Sequence, residues 1–312
     1  MEQEFRKLTC THCGREISVP AELKVFSCVY CGEKMELPAP EPVPAPEAQQ
    51  EDLDYVRAHL LDCICDYPKY YRYFNRKKYE ESFHTYQDGV AETFRAMNRY
   101  VSALPDQRDS LLREFVEQFL RDWDAFHRQN SRSHAAAEKQ MFYSKLTLAW
   151  YAVPAIRDLK LSVSEPFTDL LAQEFARKYP NNPYQNADYE TIVSGFRKHG
   201  RCFITTAVCT YEGKADDCAE LTAFRAFRDG WLSRTETGKA LIEEYYDVAP
   251  AIVSAIELCD DRDAVYPALK RQYLDPCYQA LLAQEPRRCG EIYVSMVRTL
   301  ENRYQIRKEE AQ

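Results

Sequence analysis

Cysteine is the residue type whose spacing in this chain most directly implies chemistry. Cys10-x₂-Cys13 and Cys28-x₂-Cys31 are two tight thiol pairs fourteen residues apart. A CxxC turn brings two sulfurs close enough to share one metal ion, and two such turns make a four-thiolate set. Gly14 and Gly32 follow the two pairs, where a knuckle turn needs positive φ and leaves backbone amides free to face sulfur. The alternative, four unrelated buried cysteines, does not explain the paired spacing, the glycines, or a segment too short to build its own core. The pattern predicts one structural Zn²⁺ per chain, held by Cys10, Cys13, Cys28 and Cys31. A closed four-sulfur site has no open position, so this zinc is not expected to be catalytic. His12 finds no vacancy in such a set and is expected on the surface. The intervening segment, Gly14 to Ser27, has room for a short hairpin.

Eight further cysteines do not repeat the spacing. Cys63 and Cys65 lie two apart, and on a helix such residues point to different faces. Packing explains them better than metal. Tyr67 to Phe74 interleaves with Lys69, Arg72, Arg76, Lys77 and Lys78. That could be a base-stacking surface, but the amphipathic face of a bundle is the simpler reading.

Cys202 to Tyr211 is an uncharged run that periodicity alone leaves open between strand and buried helix. Cys202, Phe203, Ile204, Thr206 and Ala207 are followed by Phe224, Arg225, Phe227, Arg228 and Asp229, then by Tyr245, Tyr246 and Pro250. Over residues 200–256 this resembles the CFI-box C-terminal domain, a bacterial and archaeal family. Its box reads approximately Cys-Phe-Ile-Ala-Thr-Ala-Ala-Tyr-Gly, from which this chain departs at Thr205, Val208, Cys209 and Thr210. The resemblance implies a helical C-terminal domain and no particular reaction. Cys202 or Cys209 as nucleophile with His199 as base is a legitimate arrangement, set against two small buried hydrophobes. Arg225 and Asp229, four apart, are expected to pair.

The elements that must carry these residues are mainly helical. Val90, Phe94, Met97, Val101 and Leu104 recur at helical spacing, as do Leu112, Phe115, Phe119, Trp123 and Phe126, and Phe142, Leu146, Trp150 and Val153. Pro105-Asp106 and Asn130–Ser133 punctuate them, the pattern of a bundle. Pro250 is expected to start a new helix or kink the old one. Residues 37–51 hold five prolines and read as an extended tether. The predicted layout is a zinc ribbon at 1–36, the tether at 37–51, a helical bundle at 52–200 and a helical C-terminal domain at 201–312, the last two able to share one core. The fold class is mainly α with a small N-terminal β zinc ribbon.

Composition sets the outer limits. A net charge of −8 weighs against nucleic acid as partner, and residues 1–36 carry five basic side chains against six acidic ones. Nine glycines without one GxG pair exclude the Gly-rich phosphate loops. No apolar run approaches the roughly 20 residues of a membrane span, and the N-terminus lacks a signal-peptide core, so a cytoplasmic location and no membrane partner are expected. The functional expectation is a zinc-ribbon protein that binds another macromolecule, a protein first. A cysteine-dependent enzyme using Cys202 or Cys209 is the alternative, and nucleic-acid binding through the ribbon is third.

Overall fold

The structure, a computed structural model, describes residues 5–20, 25–36, 50–181, 183–197 and 202–306. The proline-rich stretch 37–49, with His199 and Arg201, lies outside the described residues. The chain forms two compact units, residues 1–49 and 50–312.

In the first unit β1 (Phe5–Thr9) pairs antiparallel with β2 (Glu16–Pro20), and β3 (Val25–Ser27) with β4 (Lys34–Glu36). This corrects the expected hairpin between the cysteine pairs. Each CxxC turn is itself the reversal of a hairpin, so β2 pairs backward and β3 forward. Gly14 and Gly32 have φ of +67° and +75°, and their N–H groups bond to the carbonyls of Cys10 and Cys28 at 2.8 Å. An L side chain is strained there, which is why glycine follows each pair. Ile17 and Val19 are the only fully buried aliphatic residues beside Cys10 and Cys28 among the described residues. Such a core is too small to hold a fold unaided.

The second unit is helical. α1 (Gln50–His59) and the short α2 (Asp62–Cys65) precede the long α3 (Tyr79–Ala103), which packs on α1. After one tight turn at Pro105–Gln107 comes α4 (Arg108–Gln129). α5 (His134–Thr147) passes through a wide, π-type turn, Leu148–Ala152, directly into α6 (Val153–Asp158). Pro154 explains the widening. Proline has no N–H for the carbonyl four residues back, and its ring would strike that carbonyl. α7 (Ser164–Lys178) packs on α4 and α6, and α8 (Tyr189–Arg197) completes this half.

The run after Cys202 is a helix, α9 (Phe203–Tyr211), with Ile204, Thr205, Val208 and Cys209 buried on one face. α10 (Ala219–Ala226) enters a second π-type turn, Phe227–Trp231. The extra residue in that turn breaks the spacing of four between Arg225 and Asp229. Arg225 pairs with Asp216 at 2.7 Å, and Asp229 pairs with Arg228 at 2.6 Å, in place of the expected pair. α11 (Glu236–Glu257) runs through Pro250 unbroken. α12 (Arg262–Leu269), α13 (Asp275–Leu282) and α14 (Pro286–Tyr304) follow.

One hydrophobic core runs from Leu53 to Ile306 and crosses residue 200. Polar stitches cross it too: Trp150 Nε1 donates to Ser254 Oγ at 2.8 Å, and the Tyr71 hydroxyl to Gln305 Oε1 at 2.9 Å. No helix among the described residues is long and apolar enough to cross a membrane.

Candidate functional site

The four N-terminal cysteines meet, as their spacing demands. Cys10 Sγ lies 3.7 Å from Cys31 Sγ, and Cys13 Sγ 3.7 Å from Cys28 Sγ; all four sulfurs lie within 4.8 Å of one another. A tetrahedron of sulfurs about 2.3 Å from a central ion has edges of about 3.8 Å, so the donor set fits a metal. The two knuckles are copies: Cys10 N donates to Arg15 O at 2.9 Å, and Cys28 N to Glu33 O at 2.8 Å. The Cys13 and His12 amides lower the Cys10 thiol, and the Tyr30 amide brings Cys28 down to about 6. Cys31 goes the other way, to about 12, because burial and the three neighbouring sulfurs outweigh the Glu33 amide that draws it down. Part of the set deprotonates readily, and the last proton leaves only when a cation balances the charge. His12 is exposed and outside the set.

Residues around this centre show what the spacing did not signal. Val29 is 82% exposed and Tyr30 56%, both inside the second knuckle, and Val25 on β3 is 51% exposed. Arg15 of the first knuckle lies over the Tyr30 ring, 5.1 Å from its centroid. Two large apolar residues between Cys28 and Cys31, where the turn leaves them no core to enter, were the available clue.

The cysteines of α9 occupy a different setting. Cys202 and Cys209 are both buried, and burial raises both thiols, Cys209 to about 12. For Cys202 the nearby Arg228 and Arg225 only partly offset it. Cys202 nevertheless lines a cleft of about 730 Å³ between the Phe227–Trp231 turn, α11 and α14. Arg228 Nη1 stands 3.7 Å from its sulfur. Tyr245 and Tyr293 line the same cleft. Tyr245 Oη accepts from the Ile204 amide at 3.0 Å and from the Tyr293 hydroxyl at 3.2 Å, and Tyr293 also contacts Thr205 Oγ1 at 3.1 Å. Spacing alone marked Arg228 and Tyr245 only as motif positions; the cleft is a property of three elements from separate stretches of chain.

The remaining candidates are packing. Cys63 is buried and bonds to Leu60 O at 3.2 Å, while Cys65 is half-buried. Phe74 stacks on Trp150 with centroids 4.0 Å apart, and Tyr71 on Tyr143 at 4.6 Å. Arg76 and Lys77 pair with Asp247 at 3.0 and 2.6 Å. The aromatic-and-basic segment therefore turns its rings inward.

No family model, curated protein or solved structure matches the chain.

Proposed function

We propose that the chain is a zinc-ribbon protein that acts by binding another protein, with the ribbon as its recognition module. The observation that carries this is the pairing of a closed four-cysteine centre with exposed Val29 and Tyr30 on its second knuckle. Hard-pressed for core, a small module still keeps these two side chains in water, where apolar surface is usually kept for a partner. Zinc is the ion proposed, since four thiolates in a tetrahedron suit it and leave it no position for substrate. Its role is to hold the knuckles that hold Val29 and Tyr30.

The cysteine-enzyme reading draws less support, because a nucleophile needs a lowered pKa and both α9 thiols are raised. Nucleic-acid binding has against it the acidic balance of the chain. Kinship with the CFI-box family is a further proposal. What supports it is that Cys202, Arg228 and Tyr245, from three blocks of the motif, come together at one cleft.

Affinity capture with the full chain from the native host, compared with the Val29→Asp/Tyr30→Ala variant, tests the proposal. Partners recovered by the wild type should be lost by the variant while its metal content stays at one per chain. Unchanged recovery would remove the ribbon tip from recognition.

A further inference from the structure

The cleft beside Cys202 has a chemistry separate from the ribbon's. Its walls are apolar: Phe227, Trp231, Leu241, Ile242, Val294 and Val297 supply most of them. Lining residues on α14 run from Arg287 to Asn302, about four turns or roughly 22 Å of helix. Such an elongated apolar space suits a chain-like ligand and offers little to a sugar or nucleotide, which would leave its polar groups unpaired.

One corner is polar, and everything there donates or carries positive charge. The Arg228 side chain is 12% exposed, and its partner Asp229 holds it from outside with a carboxylate that is 64% exposed. The Cys202 thiol is beside it. The Tyr245 oxygen already accepts two bonds, from Ile204 N and the Tyr293 hydroxyl, and no acceptor for its own proton is found among the described residues. A buried hydroxyl proton pointing into an apolar space calls for an acceptor.

We propose that this cleft binds a free aliphatic monocarboxylate, with the carboxylate at Arg228 and Tyr245 and the hydrocarbon chain along α11 and α14. A partner helix fits the walls less well. Trp231, at 39%, is the one large hydrophobic of the cleft that is strongly exposed among the described residues, and Val297 is buried. Grooves that receive helices present wider apolar rims.

Purified full-length chain titrated with monomeric dodecanoate tests this, read by calorimetry and by the fluorescence of Trp231. Saturable one-to-one binding is expected with Kd on the order of micromolar, with dodecanol and dodecylamine weaker by about tenfold or more. Arg228→Gln and Tyr245→Phe should each weaken dodecanoate by about tenfold. Tyr245→Phe removes a single oxygen and carries the test should Arg228→Gln fail to fold. Val294→Trp should fill the cleft and abolish binding with the helical circular dichroism unchanged. Absence of saturable binding overturns the proposal, as does dodecylamine binding as tightly as dodecanoate, or indifference to both Tyr245→Phe and Val294→Trp. A dimer that Val294→Trp dissociates would assign the cleft to a second copy of the chain and overturn it equally.

Discussion

The Tyr79 hydroxyl donates to the main-chain oxygen of Trp150 at 2.7 Å, and that oxygen is the one Pro154 cannot serve. A proline inside a helix orphans the carbonyl four residues earlier, and an orphaned buried carbonyl is costly. Here a fully buried tyrosine from the start of α3 supplies the missing donor. The π-type turn at Leu148–Ala152 is thus locked from outside its own helix.

Tyr79→Phe keeps the ring and deletes that donor. The variant should lose about 1–3 kcal/mol of unfolding free energy, measured by urea denaturation. A loss within error of zero would show that the Trp150 carbonyl has another donor.

Gly238→Ala should destabilise α11 at its start. A Cβ there would lie 1.8 Å from the Leu232 carbonyl oxygen, a backbone atom that cannot turn away. Thr235 caps the same helix by accepting from Gly238 N at 3.0 Å, so Thr235→Ala should cost about 1 kcal/mol and Gly238→Ala more. Equal melting temperatures for the two variants would contradict the clash.

Zinc content should be one per chain in protein purified without added metal, and Cys28→Ser should reduce it to background. Protons compete with metal for thiolate, so zinc should be released as pH falls and retained as it rises. Retention of full zinc by Cys28→Ser would place the ion elsewhere.

Brief alkylation of the folded protein at pH 7 should label Cys202 and Cys209 slowly, because burial holds both thiols above their usual range. Cys202→Ala or Cys209→Ala should cost on the order of 1 kcal/mol. Mass spectrometry showing either one labelled faster than Cys63 or Cys277, with the rate dropping on His199→Ala, would favour the enzyme.

Lys145 offers a pH test. Its side chain is 1% exposed and donates to the Leu258 carbonyl, and burial lowers it to about 8 against a partial opposing pull from Asp260. The unfolded chain holds this proton up to its ordinary value of about 10.4, so between there and about 8 the unfolded state binds more protons. The lysine's contribution to stability therefore rises with pH across that window, by about 3 kcal/mol at most, and is flat below it. Buried tyrosines act oppositely at the upper end. The measurement is accordingly the difference between wild type and Lys145→Met, which should grow in favour of the wild type from pH 8 to 10. A difference that stays constant would mean the lysine is solvated.

How much of this was legible in the sequence depended on how local each cause is. Cys10, Cys13, Cys28 and Cys31 announced one centre, because a CxxC turn places its two sulfurs by backbone geometry within four residues. The stripes through Val90–Leu104 and Leu112–Phe126 announced α3 and α4, since helical periodicity is written in consecutive turns. Whether Cys202–Tyr211 was helix or strand was not decidable that way, for a run buried nearly all round has no contrasting face. The hairpin partners of β2 and β3 were misplaced because strand pairing depends on which turn reverses the chain.

Tertiary structure alone decided the rest. Arg225 chose Asp216 over Asp229 because a π-type turn, set by packing, shifted the register by one residue. The clustering of Cys202, Arg228, Tyr245 and Tyr293 around one cleft joins positions up to ninety-one residues apart. No local pattern encodes such a meeting. It exists only once α9, α11 and α14 have buried their apolar faces in the same core.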